Sequence, residues 1–226
     1  MKRVLILVEG QTEERFVNRV LAPQLQKHEI VAIPTIVVTK RVKGGQHFKG
    51  GVLSYQQVRG DLLRLLGDSN ASAVTTMLDY YGLPDDFPGR TALAPDIRTP
   101  EERAQHVEDE LARDLADRRL IPYVSLHEFE ALLFSEPAQF DSQFPGRRGG
   151  RLVAEIRNAY RTPEEINEGA ETHPAKRLLK LFPDYHKATV GPILAERIGL
   201  EKMRAACPHF DGWISKLEAL QSARQP

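Results

Sequence analysis

The sequence predicts an α/β protein: a parallel sheet flanked by helices, followed by a helical C-terminal part. Three observations carry this. Apolar runs at 3–8, 30–38, 73–78 and 120–126 alternate with stretches of helical spacing, the pattern of a parallel sheet with crossover helices. Val4 to Val8 is apolar at every position, which fits a strand covered on both faces, and Ala73 to Leu78 reads as another buried strand. Beyond about residue 141 no strand pattern recurs.

Taken in order, Arg3 to Val8 is the first strand. Residues 12–27 follow as a helix, with Thr12 as the expected N-cap, Phe16, Val20 and Leu25 on its apolar face, and Pro23 expected to interrupt its later part. The strand at 30–38 contains Pro34, which assigns it to a sheet edge. A Gly/Lys-rich loop leads to a helix near 54–66 with Val58, Leu62, Leu65 and Leu66 on one side, and Ala73 to Leu78 forms the third strand, ending at Asp79. Residues 80–99, containing Pro84, Pro88 and Pro95, read as a long loop, a length that usually signals function or disorder. Thr99 and Pro100 mark the start of a charged helix over 100–118. Leu120 to Leu126 is the fourth strand and runs into "HEFEALLF" (127–134), which has helical spacing. Short helices are expected near 150–160, 174–181, 186–198, 200–206 and 209–222. The expected organisation is therefore an α/β domain over 1–140 and a helical extension over 141–226, packed on or beside it.

The 226 residues balance 31 Lys and Arg against 31 Asp and Glu. A neutral chain is not a histone-like nucleic-acid binder, although a local basic groove stays compatible with neutrality. The single cysteine, Cys207, excludes an internal disulfide and a cysteine-rich zinc site. The opening apolar stretch is too short for a secretory signal, and no run reaches the length of a membrane span. The expectation is a cytoplasmic protein. In "CPHFDGW" (207–213), Phe210 and Trp213 are assigned to the core.

In open parallel sheets, ligands bind outside the carboxyl ends of the strands. Glu9, Asp79, His127 and Glu128 all follow strands and are expected at that edge. Glu13 stands one helical turn beyond Glu9, where a simple role at a helix start competes with a role in a site. Carboxylates gathered from several strand ends suit a hard divalent cation such as Mg2+ or Mn2+. In "HEFEALLF", an α-helix sets His127 and Glu130 on one face and sends Phe129, Leu132 and Leu133 to the core. Ala131 stands where a second histidine would complete HExxH, so a zinc-protease motif is excluded.

The stretch "VEGQTEERF" (8–16) and the strand end "LDYYG" (78–82) resemble the Toprim domain of topoisomerases, primases and OLD-type nucleases. With "SLHEFEALLFS", "HPAKRL" and "CPHFDGWISKL", the chain is identified along nearly its whole length as a member of the Toprim-like bacterial family called domain of unknown function 4276. The resemblance implies a Toprim-like fold and a divalent-metal-dependent nuclease acting on DNA or RNA, working with an ATPase partner in phage defence. It makes Glu9 the Toprim glutamate and Asp79 the first aspartate of the usual Asp-x-Asp pair. The second position of that pair is Tyr81. The missing carboxylate implies either a single metal or a ligand from Glu128 or Glu130, with Asp85 and Asp86 as loop alternatives. Glu9, Asp79 and Glu128 are the expected metal ligands, and Glu13, His127 and Glu130 complete the expected catalytic set. The alternative is an inactive Toprim subunit that binds or regulates an ATPase.

Phosphate contacts are expected from basic tracts. "KRVKGGQHFKGG" (40–51) offers Lys43 and Lys49, with Phe48 able to stack on a base. Arg147, Arg148 and Arg151 form a second tract, and Lys176, Arg177, Lys180 and Lys187 a third. The expected partners are nucleic acid and an ATPase, with no membrane; a homo-oligomer stays open.

Overall fold

The computed structural model describes residues 1–40, 48–49, 52, 54–91, 93–94, 97, 99–166, 169 and 171–221. Lys2–Val8 forms β1. Gln11–Phe16 (α1) starts at an extended Gly10, and Thr12, the expected cap, is instead buried inside the first turn. The rod continues as a π turn over Val17–Leu21 and as Ala22–Gln26 (α2), with Pro23 in the first turn of α2. The missing N–H of Pro23 thus follows a widened turn, and the helix is not broken there.

Ile30–Ile36 (β2) pairs with β1 in parallel over its whole length, with Pro34 facing Ile6. Val38–Lys40 (β3) and Phe48–Lys49 (β4) form a small antiparallel ribbon where a loop was expected. Lys43 lies outside the described residues, and of Lys49 the backbone alone is described. Tyr55–Leu66 (α3) returns the chain to Ala73–Asp79 (β5), which pairs in parallel with β1. Pro100–Leu115 (α4) opens with a capping box. The Thr99 hydroxyl accepts from Glu102 N–H at 3.1 Å, and the Glu102 carboxylate accepts from Thr99 N–H at 2.8 Å. It ends at Ala116, in left-handed conformation at φ 49°.

The expected fourth strand is split. Leu120–Ile121 (β6) pairs with Val74 and Thr75, and Val124–Ser125 (β7) with Leu78 and Asp79. Pro122 lies in the gap and has no N–H for the ladder. The Thr76 hydroxyl bridges the break, donating to Tyr123 O at 2.7 Å and accepting from Tyr123 N–H at 2.8 Å. The spatial order is β2-β1-β5-β6, with β7 also on β5. Pro34 therefore does sit on an edge strand.

Alternation along β1 sends its side chains into two separate cores. Leu5 and Leu7 pack with Val58, Leu62, Val107 and Leu111 of α3 and α4. Val4, Ile6 and Val8 pack with α1, α2 and the C-terminal helices. These are Gln139–Gln143 (α5), Gly149–Arg157 (α6), Pro174–Leu181 (α7), Lys187–Ile198 (α8), Leu200–Ala206 (α9) and Pro208–Glu218 (α10). Trp213 of α10 donates from Nε1 to Thr75 Oγ1 at 2.8 Å and stacks on Tyr123 with ring centres 4.3 Å apart. Cys207 and Phe210 are buried in the same core. The helical C-terminal part thus covers one face of the sheet. Among the described residues, no helix is long and apolar enough to cross a membrane.

Candidate active site

Adjacent parallel strands end at the same edge, so β1 and β5 deliver Glu9 and Asp79 side by side. Asp79 N–H donates to Glu9 Oε2 at 3.2 Å. A 3-10 turn at Tyr80–Gly82 then passes over Glu9. A β-carbon at Gly82 would stand 3.1 and 3.2 Å from the two Glu9 carboxylate oxygens, so a side chain there would crowd that carboxylate. Glu13 projects from α1 and is buried beside them.

The "HEFEALLF" segment is not an α-helix. His127 and Glu128 precede a 3-10 helix over Phe129–Ser135. The Asp79 carboxylate accepts from Phe129 N–H at 3.0 Å, which ties the start of this helix to the end of β5. Phe129, Leu132 and Leu133 enter the core as expected, and Glu130 is fully buried with them. Its Oε1 accepts from the Tyr185 hydroxyl at 3.3 Å.

Lys187, the first residue of α8, reaches into this cluster. Its Nζ lies 3.4 Å from Asp79 Oδ2 and 3.0 Å from Glu130 Oε2. Helix α8 is held against α1 by a hydrogen bond from the Arg15 guanidinium to Ala188 O. Glu130 Oε2 is buried, with the Lys187 ammonium as its ion-pair partner.

One ammonium cannot neutralise this many buried acids. Burial, and then the neighbouring Asp79 charge, pushes Glu9 up to about 7 and Glu13 up to about 8. Burial likewise raises Glu130 to about 7 against the pull of Lys187, and raises Asp79. Burial disfavours the charge of Lys187, but Asp79, Glu130, Glu13 and Glu128 together hold it protonated beyond its usual range. The cluster is therefore short of positive charge at neutral pH.

Carboxylate oxygens are the donor type that a hard divalent ion such as Mg2+ or Mn2+ takes, and Glu9, Glu13, Asp79 and Glu130 are the carboxylates gathered here. Among the described residues, no group of three or more His, Cys, Asp or Glu side chains is arranged to hold a metal ion. The carboxylates are grouped about the Lys187 ammonium.

The remaining expected residues divide. Glu128 turns toward α7, where its Oε2 takes His173 Nδ1 at 2.8 Å and Ala175 N–H at 3.1 Å; its charge still acts on Asp79 and Glu130. His127 precedes the 3-10 helix that carries Glu130, so the α-helix expected to set the two on one face does not form. Burial and the Arg103 charge pull its imidazole down to about 4, which keeps it neutral at pH 7. Asp86 accepts from Tyr55 N–H at 3.0 Å at the start of α3, and Asp85 is exposed. Arg177 is turned to Thr172 O and donates to the Tyr160 hydroxyl at 2.7 Å. Lys176 is half-buried on α7. Arg147 pairs with Asp184 at 2.6 Å and Arg151 with Glu155 at 3.0 Å. Residue-level reading of the sequence missed Tyr185 and His173. Pro174 at the first helical position was the available signal for His173, since it marks the preceding residue as a helix cap.

The fold and site define a parallel α/β protein with a buried, cation-poor carboxylate cluster at the carboxyl edge of its sheet. The chain belongs to the family described as Domain of unknown function (DUF4276), whose model matches residues 8–218. Among solved structures it is similar to the C-terminal region of the Burkholderia pseudomallei OLD protein, at 17% identity and a TM-score of 0.44 over 97% of this chain and 100% of that one. No curated protein matches it.

Proposed function

We propose that the chain is a Toprim-like, divalent-metal-dependent nuclease that hydrolyses phosphodiester bonds in DNA or RNA. The observation that carries this reading is the surplus of buried carboxylates at the strand ends, with Lys187 as the cation among them. The resemblance of "VEGQTE" and "LDYYG" to Toprim motifs supports it. Glu9, Asp79, Glu13 and Glu130 hold the metal. When bound, Mg2+ or Mn2+ supplies Lewis-acid polarisation of the phosphoryl group and activation of water. Lys187 is 39% exposed at its side chain, so it can face a phosphate oxygen while keeping its tie to the cluster. Tyr185 holds the Glu130 carboxylate in place. Glu128 orients His173. An ATPase partner acting with the chain in phage defence belongs to this reading, which the family resemblance supports. The test is cleavage of labelled single-stranded and duplex DNA and RNA with Mg2+ or Mn2+. Glu9→Gln is expected to lower the rate at least 100-fold. Cleavage at an unchanged rate in that variant would overturn the assignment.

A second reading is favoured by Tyr81 standing at the second aspartate position: an inactive subunit that binds or regulates an ATPase. Calorimetry separates the two. Partner binding with no Mg2+ or Mn2+ binding selects the second reading.

A further inference from the structure

We propose that Tyr81 and His173 form a stacking platform for an unpaired nucleobase at the rim of the acidic cluster, so that the strand is engaged in single-stranded or locally opened form. This deepens the nuclease reading above and rests on it.

Tyr81 is 46% exposed, whereas the preceding Tyr80 is 7% exposed. The turn enforces this difference. Tyr80 is held inward with the Arg90 guanidinium 4.5 Å from its ring centre and a 3.3 Å bond from Arg90 to its hydroxyl. Tyr81 N–H is bound to His127 O at 3.4 Å, and its side chain is left facing outward.

The exposed ring is backed. His173 lies with its ring centre 6.2 Å from that of Tyr81 and its plane tilted by 29°. His173 is itself fixed through Nδ1 to Glu128, and Glu128 is fixed by Ala175 N–H. An isolated surface tyrosine has no such support; here two rings and a carboxylate from three segments hold one orientation.

The platform also stands at the right place. Asp79, two residues before Tyr81, points its carboxylate into the cluster, and Gly82, directly after it, passes over the Glu9 carboxylate. A base lying on Tyr81 would therefore set its nucleotide beside the turn that covers Glu9. In a duplex, base faces are covered by their neighbours, so an exposed ring selects an unpaired or terminal base. The position where the sequence lacks a carboxylate thus gains an aromatic surface.

The test compares a single-stranded DNA oligonucleotide with one of equal length whose bases are replaced by abasic sites, which keeps the phosphate count constant. Binding is measured in Ca2+ by anisotropy, strand integrity is checked on gels, and 2-aminopurine in the base-bearing strand reports stacking. The full chain is expected to prefer the base-bearing strand by about tenfold and to quench 2-aminopurine. Tyr81→Leu is expected to bring the two affinities together, and Tyr81→Trp to preserve the preference. Equal binding of both strands by the unaltered chain, or a full preference retained in Tyr81→Leu, overturns the platform and leaves the nuclease reading standing. Failure to bind either strand overturns the platform, while the nuclease reading is decided separately by the cleavage assay on duplex DNA and RNA. Because the readout is a ratio, a Tyr81→Leu chain that misfolds is recognised by loss of both affinities, and Tyr81→Trp then decides: a lost preference there overturns the platform.

Discussion

At the scale of single residues, the site is governed by how few charges it can keep. Glu9, Glu13 and Glu130 begin from an ordinary value of 4.5 and are raised to about 7, 8 and 7. Above pH 4.5 the unfolded chain gives up these protons while the folded chain retains them. These groups therefore lower stability as pH rises toward 8, and the loss levels off once the folded carboxyls ionise. The metal-free protein is expected to melt at least about 5 °C lower at pH 8 than at pH 5, as scanning calorimetry would measure. Glu13→Gln should flatten that fall, because the amide carries no titrating proton. Mg2+ competes with protons for the carboxylates, so it should raise the melting temperature more at pH 8 than at pH 6. An equal increment at both values would count against metal binding by these acids.

At the scale of elements, the site depends on segments whose ends are tied to one another. Phe129 N–H binds the Asp79 carboxylate, the start of α7 binds Glu128, and α8 enters the site with its first residue. At the start of "HEFEALLF", a 3-10 and not an α-helical segment, the same ties are visible. Its first N–H is taken by a carboxylate of another strand, and Ala131 N–H closes on Glu128 O at 3.0 Å. Helix α4, by contrast, is stabilised by its own sequence. Thr99→Ala removes one half of the capping box and should cost about 1 kcal/mol. That corresponds to a drop of about 2–4 °C in melting temperature for a chain of this size, with nucleic-acid binding unchanged. A drop in binding would place the 80–99 segment in the interface.

At the scale of the whole molecule, the helical C-terminal part completes both core and site. Leu178, Leu194, Phe210 and Trp213 cover the face formed by Val4, Ile6 and Met77, and Lys187 supplies the cation among the acids. A chain ending at residue 140 exposes that face and leaves Glu130 and Asp79 without their ammonium. It is expected to lack a cooperative unfolding transition and to bind hydrophobic dyes, whereas the full chain unfolds cooperatively. A 1–140 fragment with a sharp calorimetric transition would show that the α/β part folds alone.

The parallel sheet with its flanking helices, the edge position of Pro34, the Thr99 cap and the series of C-terminal helices were legible in the sequence, because periodicity, proline and caps are local physical signals; the strand order was not. The nearness of Glu9 to Asp79 was legible too, since parallel strands must end at a common edge. Other features were decided by contacts between residues far apart in the chain. Pro122 splits the last strand, and Thr76 repairs it across the sheet. Lys187 reads in sequence as one of a tract of phosphate-contacting bases, yet α8 turns it into the acids 108 residues away from Asp79. Glu128, in sequence as good a ligand as Glu130, is drawn to His173. Residue chemistry and local spacing determined which carboxylates stand at the sheet edge. Tertiary packing alone decided which of them share a charge, because burial and the placement of one ammonium depend on helices that local spacing cannot orient.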